Sequence, residues 1–264
     1  MATQAYAHLN IKAILFDMNG TLRRRELHAV TQQEATKRLL DLLGKTEAPA
    51  EFWEELARRY KAYGIWAQDN LLQLPEKEIW TRWLLPDIPP HQIEPQAAEL
   101  TLAWKETKGR PVPQPGAEET LQELQRRGYR LGLISNSISS LDIPQSLAAF
   151  GWQAYFEVVI LSSMVRFRKP APEIFWEATT AMHLEPQQCA YLGNHIARDV
   201  MGCKRAGFRL GIMIETPGKS YAEEQDQTIQ PDVVIHSLNE LLTLFPLRGS
   251  RSLQPEDAPH EDGC

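Results

Sequence analysis

At 264 residues the chain is long enough for one large α/β domain, or for a core domain carrying a smaller insert. Its 43% hydrophobic and 23% charged residues exclude disorder for the bulk of it. The net charge of -6 argues against nucleic acid as a partner, because a phosphate backbone calls for a basic face, and no uncharged run approaches the ~18 apolar residues of a membrane span.

The first element is Ile11-Lys12-Ala13-Ile14-Leu15-Phe16, followed at once by Asp17-Met18-Asn19-Gly20-Thr21. An apolar run this short, closed by a glycine turn, reads as a buried strand of a parallel sheet. Asp17 then falls at the strand's carboxyl end, where open α/β sheets bind ligands. Taken alone, Asp17 could equally cap a helix. Asn19-Gly20 suits a tight turn whose amides form an anion-binding concavity.

From Arg23 to Leu43 the residues are charged and helix-favouring, and Gly44 stands as the closing glycine. Trp53, Leu56, Ala57 and Tyr60 recur at helical spacing. Two more helical pieces follow at Glu76–Leu84 and Gln96–Lys108, the second ending at Gly109. The block shows no convincing strand. It holds five of the seven tryptophans, which fill the core of a small helical bundle more readily than they line a pocket.

Arg110–Pro115 is a proline-rich, extended connector, after which strands and helices alternate. Helices are expected at Gly116–Arg127, Pro144–Phe150, Pro172–Met182, Ala197–Ala206 and Leu238–Leu244. Strands are expected at Tyr129–Ile134, Glu157–Leu161, Ala190–Leu192, Arg209–Ile214 and Val233–Ile235. Such alternation implies a parallel sheet covered by helices. The polar tail 248–264 reads as disordered. Met1–Asn10 lacks a basic segment leading into an apolar one, and Cys189, Cys203 and Cys264 show neither metal spacing nor an even framework. A cytoplasmic protein with reduced thiols is expected.

Asp17, Ser135 and Asn194 would converge at one edge of that sheet, joined by Lys169 from a loop and Asp199 from the next helix's first turn. A nucleophilic carboxylate, a hydroxyl donor, an ammonium and an acidic metal partner are what phosphoryl transfer through an aspartyl-phosphate needs. Each has a plainer reading alone: Ser135 as a turn cap, Lys169 as a solvated surface charge.

Asp17-Met-Asn-Gly-Thr21, Ile134-Ser-Asn136, Arg168-Lys-Pro170 and Leu192-Gly-Asn-His-Ile-Ala-Arg-Asp199, in this order, resemble the haloacid dehalogenase-like hydrolase superfamily. The resemblance spans Ile11 to about Phe245. It implies an α/β fold, a Rossmann-like parallel sheet with helices on both faces. The core would comprise residues 1–22 and 109–247, with 23–108 as an all-helical cap insert. Carried over by position, Asp17 is the nucleophile and Thr21 orients it. Ser135 and Asn136 bind the substrate's phosphoryl group, and Lys169 stabilises its charge. Mg²⁺ is the implied cofactor, held by Asp17, the Asn19 carbonyl, Asn194 and Asp199, and a small phosphorylated molecule is the implied substrate.

Two positions depart from the phosphatase pattern of that family. Asn19 stands where a second Asp acts as acid and base, and its amide exchanges no proton at neutral pH. Asn194 stands where another Asp ligates the metal, which removes one neutralising charge. His195 could replace the missing acid/base, although it is near the site in sequence only. Arg23, Arg24 and Arg25 could attract an anionic substrate or form a solvated first turn of the cap. The alternatives to a slow phosphatase are a non-catalytic protein that binds a phosphorylated ligand and a carbon–halogen hydrolase.

Overall fold

The computed structural model describes residues 6, 9–215 and 229–248. The first strand, β1 (Ala13–Phe16), sits in the middle of a six-stranded sheet. Its side chains alternate between two apolar clusters: Ile14 and Phe16 face one, Ala13 and Leu15 the other. A strand buried on both faces needs a continuous apolar run, which is why the run from Ala13 to Phe16 has no polar break.

Two short strands, β2 (Arg23–Glu26) and β3 (Arg110–Pro113), form a separate antiparallel ribbon. The main sheet continues with β4 (Arg130–Ser135), β5 (Val158–Leu161), β6 (Cys189–Gly193), β7 (Leu210–Ile214) and β8 (Val233–Ile235). Its order is β5-β4-β1-β6-β7-β8, and every pair is parallel. Phe16 is in register with Leu133 of β4 and Leu192 of β6. Asp17, Ser135 and Asn194 therefore leave the sheet side by side at its carboxyl edge. This is the α/β, Rossmann-like arrangement expected from the alternation of elements.

Between the ribbon's strands lie the helices Ala29–Leu42, Ala50–Asp69, Glu76–Glu78, Pro90–Ile93 and Ala97–Glu106, with a π-helical turn at Ile79–Leu84. They share an apolar cluster of their own that buries Leu39, Leu56, Tyr63, Trp80, Leu100 and Trp104. The Trp80 indole donates to Thr101 Oγ1 at 2.8 Å, so a ring placed in the core keeps its polar atom satisfied. The tryptophans serve the bundle, as their helical spacing suggested. No helix among the described residues is long and apolar enough to cross a membrane.

The structure differs from the sequence reading at Arg23–Glu26, which is a strand and not a helix start. Pairing with Arg110–Pro113 overrides the helical propensity of this charged run, and Pro111 and Pro113 are tolerated because the ribbon has only two strands. Gly109 makes the close crossing possible: it has φ +110°, and a Cβ there would lie 2.5 Å from the Glu26 carbonyl oxygen. The tail 248–264, apart from Arg248, and Cys264 with it lie outside the described residues.

The ribbon is fixed to the core by charge. Arg23 is fully buried and donates to Asp142 Oδ2 at 2.5 Å, and Arg25 donates to the other oxygen of the same carboxylate. Burial alone would raise the Asp142 pKa, but Lys105, Arg23 and Arg25 outweigh it and hold the carboxyl well below its usual range. Asp142→Asn should cost about 3–5 kcal/mol, because it leaves Arg23 buried without a counter-charge. A pKa lowered on folding contributes stability above the unfolded value and loses it as pH falls through the folded one. The gap between native and variant in urea unfolding should therefore be full at neutral pH and close as Asp142 itself protonates in strong acid.

Candidate active site

Asp17 ends β1 with its carboxylate almost wholly buried. Its Oδ1 accepts from Lys169 Nζ at 2.7 Å and from Ser135 Oγ at 3.3 Å, and its Oδ2 from Thr21 Oγ1 at 3.4 Å. Lys169 also meets Asp199 Oδ1 at 2.6 Å and donates to Tyr191 Oη at 2.8 Å. One ammonium thus separates two buried carboxylates. Desolvation would raise the Asp199 pKa, while Lys169 and, next, Arg198 lower it further than burial raises it.

Asp199 lies on a π-helical turn, Ile196–Val200, directly after β6. Its Oδ2 accepts the main-chain N–H groups of Asn194 and His195 at 3.1 and 3.0 Å. Both oxygens are already taken up, so Asp199 reaches a metal only by giving up one of these bonds. Asn194 is different: its Oδ1 is buried without a hydrogen-bond partner. Its amide rests against Gly20, where a Cβ would stand 2.3 Å from Nδ2. Gly20 has φ +88°, so both the turn and the close approach call for glycine here.

Asn136 lines the cavity beside Asp17, yet both ends of its amide engage the main chain of Lys169. Nδ2 donates to the carbonyl at 3.0 Å, and Oδ1 accepts from the N–H at 2.8 Å. Asn19 accepts from Arg23 Nε at 3.0 Å. The structure therefore gathers Asp17, Thr21, Ser135, Asn136, Lys169, Asn194 and Asp199, with Asn19 close by. The cavity beside them holds about 310 Å³ and is lined by Asp17, Asn19, Gly20, Arg23, Arg24, Arg25, Lys105, Asn136, Lys169 and Arg198. Such a volume suits a small metabolite.

Sequence reasoning missed Tyr191. It sits on β6, two residues before Gly193, on the face opposite to Ala190 and Leu192. A phenol in an otherwise aliphatic buried strand is the signal that could have found it, since buried Tyr hydroxyls need partners. Its pKa lies well above the ordinary value, through burial first and then the Asp199 and Asp17 charges. It stays a neutral hydroxyl that accepts from Lys169 and bonds to the Ile134 carbonyl at 3.0 Å.

A parallel sheet with a carboxylate, a hydroxyl and an ammonium at its carboxyl edge carries its polar site where open α/β sheets bind ligands. The haloacid dehalogenase-like hydrolase model matches residues 11–207, and the chain belongs to that family. Among known proteins it is similar to a glyceraldehyde 3-phosphate phosphatase of Methanopyrus kandleri, 26% identical over 88% of this chain and 96% of the relative. The Escherichia coli phosphoglycolate phosphatase is 33% identical over 54% of this chain and 55% of its own. A 2-haloacid dehalogenase from Pseudomonas syringae shares the fold with a TM-score of 0.62 at 23% identity, covering 89% of this chain and 97% of that one.

Tyr191→Phe should leave the fold intact but remove an acceptor from a buried ammonium. A loss of about 1.5–3 kcal/mol is expected in urea unfolding, and an unchanged midpoint would mean that the Lys169 contact carries no stability.

Proposed function

We propose that the protein is a phosphatase that takes the phosphoryl group of a small phosphorylated metabolite onto Asp17, with residues 23–108 as a cap over a core of 1–22 and 109–247. One observation carries this reading: Asp17 Oδ1 receives both the Lys169 ammonium and the Ser135 hydroxyl in a cavity whose other lining residues are all cationic or uncharged. The relatives named as phosphatases support it. Asp17 attacks phosphorus, and the bond to the ester oxygen breaks as the bond to aspartate forms. Ser135 and Lys169 hold the phosphoryl oxygens, and Thr21 fixes the carboxylate's orientation. Water then releases inorganic phosphate. Asn19 has no proton to give the departing alkoxide, so esters with poor leaving groups react ~10²–10⁴-fold more slowly than with a general acid. Acyl phosphates, whose leaving group needs no proton, lose less at the first step.

The residues fit Mg²⁺ in part. The partnerless Asn194 oxygen, the Asp17 carboxylate and the Asn19 main-chain carbonyl are oxygen donors of the kind a hard cation takes, with Asp199 as the further acidic candidate. Bound there, the ion would supply positive charge to the phosphoryl oxygens. Among the described residues no three Asp, Glu, His or Cys side chains gather as a metal cage. With a neutral amide at position 194, the site should hold Mg²⁺ weakly and lean on the substrate's phosphate. Asn194→Asp should tighten Mg²⁺ in calorimetry, and no gain would remove position 194 from the ligand set.

A second reading, a non-catalytic protein that binds a phosphorylated ligand, is favoured by the uncharged amides at both Asn19 and Asn194. Beryllofluoride separates the two at the first step, since a stable adduct that needs Asp17 and Mg²⁺ marks Asp17 as a phosphoryl acceptor. Equal binding by Asp17→Ala overturns that assignment.

Asn19→Asp tests the missing acid/base. Arg23 Nε already donates to this side chain, so a carboxylate there forms an ion pair and stays ionised, a better base than acid. Hydrolysis of the aspartyl-phosphate should quicken by ~10²-fold or more, with a smaller gain in the first step, as read by burst kinetics. The double variant Asn19→Asp with Asn194→Asp should exceed either single change. If it binds Mg²⁺ yet stays inert on every phosphate ester and acyl phosphate, the phosphatase reading fails, and chloride release from haloacids would then point to carbon–halogen hydrolysis.

A further inference from the structure

The cavity is unevenly charged. At one end Lys169 faces Asp17 and Asp199, one cation against two carboxylates. Elsewhere along its wall Arg23, Arg25 and Lys105 converge on the single carboxylate of Asp142. The three are not equivalent. Arg23 is fully engaged: its Nε donates to Asn19, and its other nitrogens donate to the Asp142 carboxylate, the Asp142 carbonyl and Ser146. Arg25 divides itself between Asp142 and the Gly109 carbonyl. Lys105 comes last: its Nζ lies 3.5 Å from Asp142 Oδ2, its only salt-bridge partner among the described residues.

That leaves three cations for one anion, with Lys105 and Arg25 only 18% and 17% exposed. Burial lowers the Lys105 pKa against the pull of Asp142, and Arg25 and Arg23 add to the lowering. Arg24 is matched separately, by Glu26 at 2.6 Å. A half-buried excess of positive charge is costly for a free protein, and an anion from outside relieves it.

We propose that the substrate is a small phosphorylated acid, whose phosphate sits at Asp17, Ser135 and Lys169 while its carboxylate is held by Lys105 and Arg25. This rests on the phosphatase reading and narrows it. The same cavity that holds Asp17 also reaches Lys105 and Arg25, and at about 310 Å³ it takes a molecule of only a few carbons. Among the described residues Asp17 is the only acidic one lining it, so no carboxylate there is left over for an ammonium group. Phosphoglycolate-like acids therefore fit better than neutral phosphoaldehydes, and the ammonium of a phosphorylated amino acid counts against it.

Three phosphate esters of one size test this: 2-phosphoglycolate, 2-hydroxyethyl phosphate and 2-aminoethyl phosphate, which end in a carboxylate, a hydroxyl and an ammonium. Their dissociation constants are measured by calorimetry on the full chain carrying Asp17→Asn, which prevents turnover. The carboxylate should bind at least about tenfold tighter than the hydroxyl compound, and the ammonium compound weakest. Lys105→Met should erase most of that ratio, whereas Lys105→Arg, which keeps the charge, should retain it. Equal affinities, or a ratio that survives Lys105→Met, overturn the proposal and leave the phosphatase reading standing. If none of the three binds, this proposal falls, while the phosphatase reading is decided separately by the beryllofluoride adduct at Asp17.

Discussion

The Lys169 ammonium lies within 2.7 Å of Asp17 and 2.6 Å of Asp199, and the sheet edge depends on it. Asp17 leaves β1, and Asp199 lies in the turn that follows the adjacent strand β6, both almost without solvent. Two buried carboxylates this near one another would repel. The ammonium between them, with a neutral phenol alongside, offsets that repulsion. It also sets the orientation of everything nearby: Asn136 clamps the lysine's own main chain, and Ser135 shares its carboxylate oxygen.

The overall charge of -6 says nothing of what a ligand meets inside. The cavity wall carries Arg23, Arg24, Arg25, Lys105, Lys169 and Arg198 against the single acidic side chain of Asp17. Fields in a partly enclosed cleft follow the lining charges, while the excess of acidic residues elsewhere is screened by solvent. Composition argues against a polyanionic macromolecule as the partner, while the cations of the wall are what the proposed small anion would meet.

The parts of the fold legible in the sequence were those coded locally. An apolar run ending in a polar group marks β1, β4 and β6 without help from distant residues, and with them Asp17, Ser135 and Asn194. The ribbon was not legible. Arg23–Glu26 has a helical composition, and only pairing with residues nearly ninety positions away, across the Arg23–Pro113 register, makes it a strand. Asp142 escaped for the same reason: its partners Arg23 and Arg25 come from a part of the chain that no local pattern connects to it. The place of Asn136 beside the cavity was legible from its strand end, but not its bonding to the Lys169 main chain, since an amide can serve a ligand or a neighbouring main chain.

A short bridge joins the helical block to the loop that carries Lys169. Leu72 pairs with Phe167, the Gln73 N–H donates to the Arg166 carbonyl at 2.6 Å, and the Arg168 N–H donates to the Leu71 carbonyl at 3.0 Å. The anchor is main chain, and it ends one residue from the lysine. The Glu76 carboxylate accepts from the Ser140 N–H and hydroxyl, a second tie between the helical block and the core. The position of the Lys169 ammonium is thus set partly by the helical block, through a segment that ends one residue away from it.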